Sequence, residues 1–129
     1  MKQPIDLALQ FLLMAQRDMR AFDILVEETS VADESIGFHA QQIVEKCLKA
    51  VLAFNQIEFR KVHDLDALLE LLTKNGLPEP PEADSLDELN PYAVFLRYDL
   101  AETQSLDRQK TKSLVQGILA WGKRHIGNK

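Results

Sequence analysis

The chain has 129 residues, of which 46% are hydrophobic and 27% charged, and its net charge is -5. These values are ordinary for a globular protein and argue against a disordered, collagen-like or linker-dominated chain. The longest apolar runs, such as residues 11–15, are far shorter than the roughly 20 residues that cross a bilayer. We therefore expect one domain, spanning residues 1–129.

The N-terminus lacks the pattern of a secretory signal. An acidic residue, Asp6, occurs early, and no small-residue cleavage site follows the first apolar stretch. The single cysteine, Cys47, has no second thiol for an internal disulfide and is no metal framework by itself. We expect a cytoplasmic protein in which Cys47 is a small buried side chain.

Charge is unevenly distributed along the second half of the chain. Residues 76–107 include eight acidic side chains and one basic one, whereas residues 108–129 include six basic and no acidic side chains. Two interpretations stay open. Either the last segment forms a small basic surface, or it pairs with its acidic neighbour.

Hydrophobic periodicity predicts two long helices in the first half of the chain. In residues 5–28, apolar residues recur at three- to four-residue steps: Leu7, Phe11, Met14, Ala21 and Leu25. Residues 29–33 are predicted to form a loop. The second helix starts at Glu34 or Ser35 and continues to Phe54, because no proline interrupts it and Gly37 lies near its start.

Shorter elements are predicted after residue 60. Asp64 is placed to cap a third helix, which ends near Gly76 and carries an apolar stripe: Leu65, Leu68, Leu69 and Leu72. Prolines keep residues 77–81 extended. Ser85 and Glu88 have the spacing of a capping box, which predicts a short or kinked fourth helix over residues 86–98.

The last helix is predicted to follow a polar connection over residues 100–106. Asp107 caps it, and one of its sides is apolar: Leu114, Ile118 and Trp121. No segment alternates in polarity as a strand does. Helices joined by short loops predict an all-α fold, an antiparallel up-and-down bundle of about five helices.

Common catalytic and cofactor motifs are absent from the sequence. It has no glycine-rich phosphate loop, no dinucleotide-binding turn and no nucleophile elbow. The histidines His39, His63 and His125 do not have the spacing of a zinc site. We therefore predict no cofactor and no metal site.

The second helix has an apolar and a polar side when it is plotted at about 100° per residue. The apolar side, predicted to face the core, holds Ile43, Val44, Cys47, Leu48, Val51 and Leu52. The opposite side holds Phe38, His39, Gln42, Glu45, Lys46 and Lys49, while Gln41 lies at the border and needs a partner inside. A solvated face with a Glu45–Lys49 contact is one interpretation. A surface that meets a protein or a nucleobase, indicated by Phe38, is the other.

The same helix carries a family pattern. Residues 38–50 read Phe-His-Ala-Gln-Gln-x-x-Glu-Lys-x-Leu-Lys-Ala, followed by Val-His-Asp-Leu at residues 62–65, then Leu89 and Arg97-Tyr98. In order and spacing, this resembles the HEPN family over essentially the whole chain. The resemblance implies a nucleotide-binding bundle of four to five helices, usually a homodimer. It also implies a partner, often a minimal nucleotidyltransferase in a toxin–antitoxin-like pair.

Many members of the wider superfamily are ribonucleases that use an Arg-x(4–6)-His motif in a composite site between two subunits. No arginine of this chain has a histidine five to seven positions later. The residue seven positions after Arg97 is Gln104, which cannot exchange a proton near neutral pH as a histidine does. The missing motif favours a non-catalytic protein. A metal-independent ribonuclease with displaced residues and a purely structural oligomerisation domain are the alternatives.

Seven residues are the candidates for ligand binding: Gln42, Glu45, Lys46, Lys49, His63, Arg97 and Tyr98. For His63, a structural role is favoured, in which it packs or hydrogen-bonds beside the Asp64 cap. Arg97 either pairs with Asp99 or Glu102 or binds a phosphate together with the lysines. A homodimer is also expected from the apolar stripe of the last helix together with Phe38, which a chain this small leaves partly uncovered.

Overall fold

The computed structural model describes residues 3–60, 64–93 and 105–126. Within these ranges it has five helices and no strand, which confirms the predicted all-α helical bundle. The elements are α1 (Pro4–Leu25), α2 (Asp33–Phe54), α3 (Leu65–Lys74), a 3₁₀ helix (Ala83–Tyr92) and α4 (Arg108–His125). No helix of the described residues is long and apolar enough to span a bilayer.

Helix α2 lies at the centre and packs against α1, α3, α4 and the 3₁₀ helix. Its predicted apolar side is buried, with no residue more than 1% exposed: Ile43, Val44, Cys47, Leu48, Val51 and Leu52. The prediction of this core face is confirmed. Burying each large aliphatic side chain of this face stabilises the fold by about 1.5–3 kcal/mol.

Helix α1 buries a different side from the stripe that predicted it. Its buried residues are Ala8, Leu12, Ala15, Met19 and Phe22. Leu7 and Met14 are exposed instead. Apolar residues occur on all sides of α1, so periodicity predicted a helix without defining the side that meets α2. The small side chains of Ala8 and Ala15 favour close packing on that side.

Helix α1 ends at Leu25, three residues before the predicted end. The cause is a tertiary contact with Arg108, the first residue of α4. Its guanidinium donates to the carbonyl oxygens of Val26 at 3.3 Å, Glu28 at 3.0 Å and Val31 at 2.6 Å. Carbonyls turned toward a cation do not continue the i to i+4 ladder, so the helix stops.

The same arginine connects the loop to α2. Arg108 Nε lies 3.1 Å from Asp33 Oδ1, and the backbone N–H of Leu106 donates to Asp33 Oδ2 at 3.1 Å. Asp33 is therefore the first residue of α2 rather than the last residue of the predicted loop. An acidic side chain in the first turn also suits the helix dipole.

The predicted cap of α3 is confirmed and has an additional partner. The Asp64 side chain accepts from the backbone N–H of Asp66 at 3.0 Å. Asn90 of the 3₁₀ helix donates to the same Asp64 oxygen at 3.3 Å and accepts from the backbone N–H of Leu65 at 2.9 Å. The start of α3 is thus tied to the 3₁₀ helix.

The predicted capping box of the fourth helix is wrong. The chain turns at Glu82, whose φ of 58° is left-handed, and the 3₁₀ helix begins at Ala83. Ser85 is therefore already inside the helix, and its N–H donates to Glu82 O at 2.9 Å. Pro91 has no N–H to donate, which disfavours an α helix here. Residues 94–98 of the predicted helix lie outside the described residues.

Helix α4 is capped by Asp107, whose side chain accepts from the N–H of Lys110 at 3.0 Å, as predicted. Its stripe of Leu114, Ile118 and Trp121 is 6%, 0% and 2% exposed, so the monomer covers it. The expectation that this stripe is left uncovered for a dimer partner is wrong. The stripe packs inside the bundle because α4 lies against α1 and α2. Lys110 pairs with Glu88 at 3.3 Å, one contact between the basic helix and its acidic neighbour.

Candidate functional site

Polar side chains of α2 form one hydrogen-bonded cluster along the helix. Gln42 Nε2 donates to Gln41 Oε1 at 2.8 Å, and Gln41 Nε2 donates to Glu45 Oε1 at 3.1 Å. The other oxygen of that carboxylate, Oε2, accepts from Lys49 Nζ at 2.8 Å and from Lys46 Nζ at 3.3 Å. We call these five residues the α2 polar cluster. Gln41, Glu45 and Lys49 are spaced four residues apart and so lie on one side of the helix, and the side chains of Gln42 and Lys46 reach this row from its edge.

The α2 polar cluster is not a solvated helix face, and that interpretation is wrong. Gln41 and Glu45 are 0% exposed, and Lys49 is 6% exposed. Gln41 finds the internal partner predicted for it, and the Glu45–Lys49 contact forms as predicted. Lys46 reaches the edge, with its side chain 18% exposed, and Gln42 is half-buried. A buried charge of this kind is costly unless it is paired.

The charges of the cluster do not cancel among its members. Two ammonium groups, of Lys46 and Lys49, share one carboxylate oxygen of Glu45. The formal charges of these three side chains sum to +1, and Lys46 is the more exposed of the two lysines. Such a site attracts an anion, even on a chain whose net charge is -5.

An aromatic cavity lies beyond the cluster, between the end of α2 and the start of α1. Lys49 Nζ lies 5.7 Å from the ring centre of Phe59, within cation–π distance. Phe59 packs at 5.8 Å against Phe11 of α1. Both rings line a cavity of about 670 Å³ that also includes Ala53, one turn after Lys49. The volume lies in the range of small-molecule sites, about 300–1,000 Å³.

A histidine and a carboxylate meet at the edge between α1 and α2. His39 Nδ1 lies 2.8 Å from Asp18 Oδ1, and both side chains are about one-fifth exposed, at 23% and 22%. The ring of Phe38 contacts that of His39 edge-on, with ring centres 5.5 Å apart. His39 precedes Gln42 by three residues and Lys46 by seven, so the three side chains share this edge.

The cysteine of α2, Cys47, is chemically inert, unlike the polar side chains described above. Cys47 lies on the apolar side of the helix, and burial raises its pKa from 9.0 to about 12. A thiol with this pKa holds its proton at neutral pH and is a poor nucleophile. The buried role predicted for Cys47 is confirmed.

The structure brings together four of the seven candidate site residues: Gln42, Glu45, Lys46 and Lys49. His63, Arg97 and Tyr98 lie outside the described residues, so their part in the site stays a prediction. Sequence reasoning did not find Phe59, Phe11 or Asp18, because no periodicity relates residues that meet only when separate segments fold together.

The amino-acid sequence matches one known protein family. The model of the HEPN domain matches residues 8–126, which include the α2 polar cluster and all of the described helices except the first four residues of α1. The chain belongs to the HEPN domain family. No curated protein and no solved structure matches this HEPN chain. Within the described residues, no group of side chains is arranged to hold a metal ion.

Proposed function

We propose that this HEPN chain is a non-catalytic, homodimeric module that binds a nucleotide and works beside a minimal nucleotidyltransferase. The observation that carries the proposal is the Glu45 carboxylate, fully buried and shared by Lys46 and Lys49. The shared carboxylate fixes both lysines and leaves Lys46 to meet a phosphate at the edge of the fold.

The aromatic cavity supports a nucleotide rather than a bare anion. Ala53 lines the cavity and lies seven residues after Lys46, two helical turns or about 10 Å along the same face of α2. A nucleotide extends over a comparable length. In this arrangement its phosphates contact Lys46, and its base packs against Phe11 and Phe59.

Calorimetric titration with ATP tests the proposal. Wild type is expected to release heat on binding, and Lys46→Ala is expected to weaken binding about tenfold or more, the equivalent of one charged contact. Lys112→Ala is the matched control, because Lys112 is a partly exposed lysine on α4 that pairs with Glu27 at 3.6 Å. The absence of heat with wild type, or an equal loss of ATP affinity in both variants, contradicts the proposal that the chain binds a nucleotide.

The neighbouring genes test the partner part of the proposal. A minimal nucleotidyltransferase encoded directly beside this chain supports it, and co-expression of the two chains then shows whether they co-purify. Neighbouring genes without such an enzyme count against it. If the chain binds neither a nucleotide nor a partner, the remaining function is that of a structural oligomerisation domain.

A ribonuclease is the second candidate, and the His39–Asp18 pair favours it. A carboxylate 2.8 Å from an imidazole orients the ring, as a general acid or base requires. Incubation with total RNA separates the candidates. Cleavage by wild type that is lost in His39→Gln and kept in His125→Gln supports the ribonuclease, whereas equal cleavage by all three or by none excludes this role for His39.

A further inference from the structure

The large hydrophobic side chains that stay exposed lie on one helix. Within the described residues they are all in α1: Leu7, Leu9, Leu13, Met14 and Ile24. Leu9 and Leu13, one turn apart, are 49% and 48% exposed and point away from α2, since they lie on the far side of the helix from Ala15 and Phe22. Ile24, 68% exposed, lies about three turns further along α1. Apolar residues grouped on one outward face indicate a surface that another molecule covers.

The charges beside these residues fit a second copy of the same helix. Asp6 lies seven residues before Leu13, and Arg20 lies seven residues after it. Each is therefore two turns, about 10 Å, from Leu13, and the three residues drift by only about 20° per seven positions around the helix. Asp6 and Arg20 are both exposed, and Arg20 has no ion pair within the part of the chain that the structure describes.

Antiparallel pairing of two copies of α1 brings these opposite charges together. With the two Leu13 side chains in register, Asp6 of each copy lies opposite Arg20 of the other. Leu9 and Arg17 are each four residues from Leu13, so the apolar stem of Arg17 lies beside Leu9 of the other copy. The same patch on both copies is then complementary to itself, as a two-fold dimer requires.

We infer that the outward face of α1 is the homodimer interface, with Leu13 at the two-fold axis and two Asp6–Arg20 ion pairs beside it. This inference rests on the homodimer in the proposed function. The interface is separate from the α2 polar cluster, because Leu13 faces away from α2, so the two sites are testable independently.

Charge reversal at these two positions tests the inference by light scattering in the micromolar range. Wild type is expected to be dimeric. Asp6→Arg alone places four arginines at the ion-pair positions, and Arg20→Asp alone places four aspartates there, so each variant is expected to raise the dimer Kd about tenfold or more. An equimolar mixture of the two variants restores opposite charges in every pair and is expected to form a heterodimer as tight as the wild-type dimer.

The mixture also separates loss of the interface from loss of the fold. Asp6 accepts from the N–H of Gln3 at 3.0 Å, so Asp6→Arg weakens the start of α1 as well. A misfolded variant does not regain a partner on mixing. Leu13→Lys is expected to abolish the dimer. Ile24→Lys is expected to keep it, because Ile24 lies three turns from Leu13 and faces a position before the start of α1 in the other copy.

The outcomes that overturn the inference differ from those that overturn the proposed function. A wild-type monomer overturns both the interface and the proposed homodimer. A dimer that survives Asp6→Arg, Arg20→Asp and Leu13→Lys overturns the α1 interface alone. A mixture that stays monomeric, although each variant has wild-type helical circular dichroism, also overturns it. ATP binding by the Leu13→Lys variant is expected to be unchanged.

Discussion

Glu45 Oε2 lies 2.8 Å from Lys49 Nζ, one helical turn along α2, and both side chains are buried. An exposed pair at this spacing contributes about 0.3–0.5 kcal/mol. A buried pair behaves differently, because either partner left alone is an unpaired charge in the protein interior. The pair therefore makes the α2 polar cluster sensitive to any change of its charges.

Glu45→Gln is expected to lower the free energy of unfolding by about 3 kcal/mol, because it leaves Lys49 buried without its carboxylate. Urea denaturation followed by circular dichroism measures the change. Glu27→Gln is the control, since Glu27 is exposed and pairs with Lys112 at 3.6 Å. It is expected to cost less than about 1 kcal/mol. Equal effects of the two substitutions contradict a tightly coupled buried cluster.

Arg108→Met is expected to lower the free energy of unfolding by about 2 kcal/mol, since the charged hydrogen bonds to Val26, Glu28, Val31 and Asp33 are lost together. Arg124→Met, on the exposed side of the same helix, is the control. Hydrogen exchange of the loop between α1 and α2 is expected to rise only in the Arg108 variant. Unchanged exchange in both variants rules out the role assigned to Arg108.

Gly37→Ala is expected to destabilise the protein although alanine is the better helix former. An added Cβ at Gly37 would collide with the ring of Tyr92 in the 3₁₀ helix. Overpacking of this kind costs about 1–3 kcal/mol, more than the helix gains from replacing a glycine. Gly117→Ala, where the nearest atom is 3.5 Å away, is the control and is expected to be neutral or stabilising. A more stable Gly37→Ala protein contradicts this contact.

The burial of Cys47 predicts a pH dependence of stability. Its folded pKa of about 12 lies above the ordinary value of 9.0, so the folded state holds the proton more tightly than the unfolded chain. The stability contributed by this thiol is complete below about pH 8.5 and is lost as the pH rises toward 12, at up to about 1.4 kcal/mol per pH unit. Urea denaturation of wild type and Cys47→Ala from pH 8 to 11 measures it. The stability of wild type is expected to fall more steeply, and parallel curves contradict the prediction.

The sequence pattern defined those parts of the fold that depend on local chemistry. The apolar side of α2, the caps Asp64 and Asp107 and the end of α3 follow from periodicity and capping preferences, and all are confirmed. The predicted end of α1 and the predicted start of the fourth helix were wrong. Arg108 determines where α1 ends, through hydrogen bonds to residues that lie 77 to 82 positions away in sequence. No local sequence pattern reports such contacts.

The sequence predicted which α2 residues come together in the candidate site, but not that they are largely buried. A helical wheel grouped Gln42, Glu45, Lys46 and Lys49 correctly, but it placed that face at the surface, either solvated or meeting a partner. Whether a polar helix face is exposed depends on which elements cover it. The aromatic cavity beside Lys49 depends on Phe59, which reaches the cluster only because the chain folds back after α2.

The central claim is that the excess positive charge of the α2 polar cluster binds a nucleotide through its phosphates. Titration of the wild-type chain with ATP, ADP, AMP and adenosine at one ionic strength tests this claim most directly. Affinity is expected to fall with each phosphate removed, and adenosine is expected to bind at least about tenfold more weakly than AMP. Equal affinity for adenosine and ATP, or heat with none of the four, would contradict it.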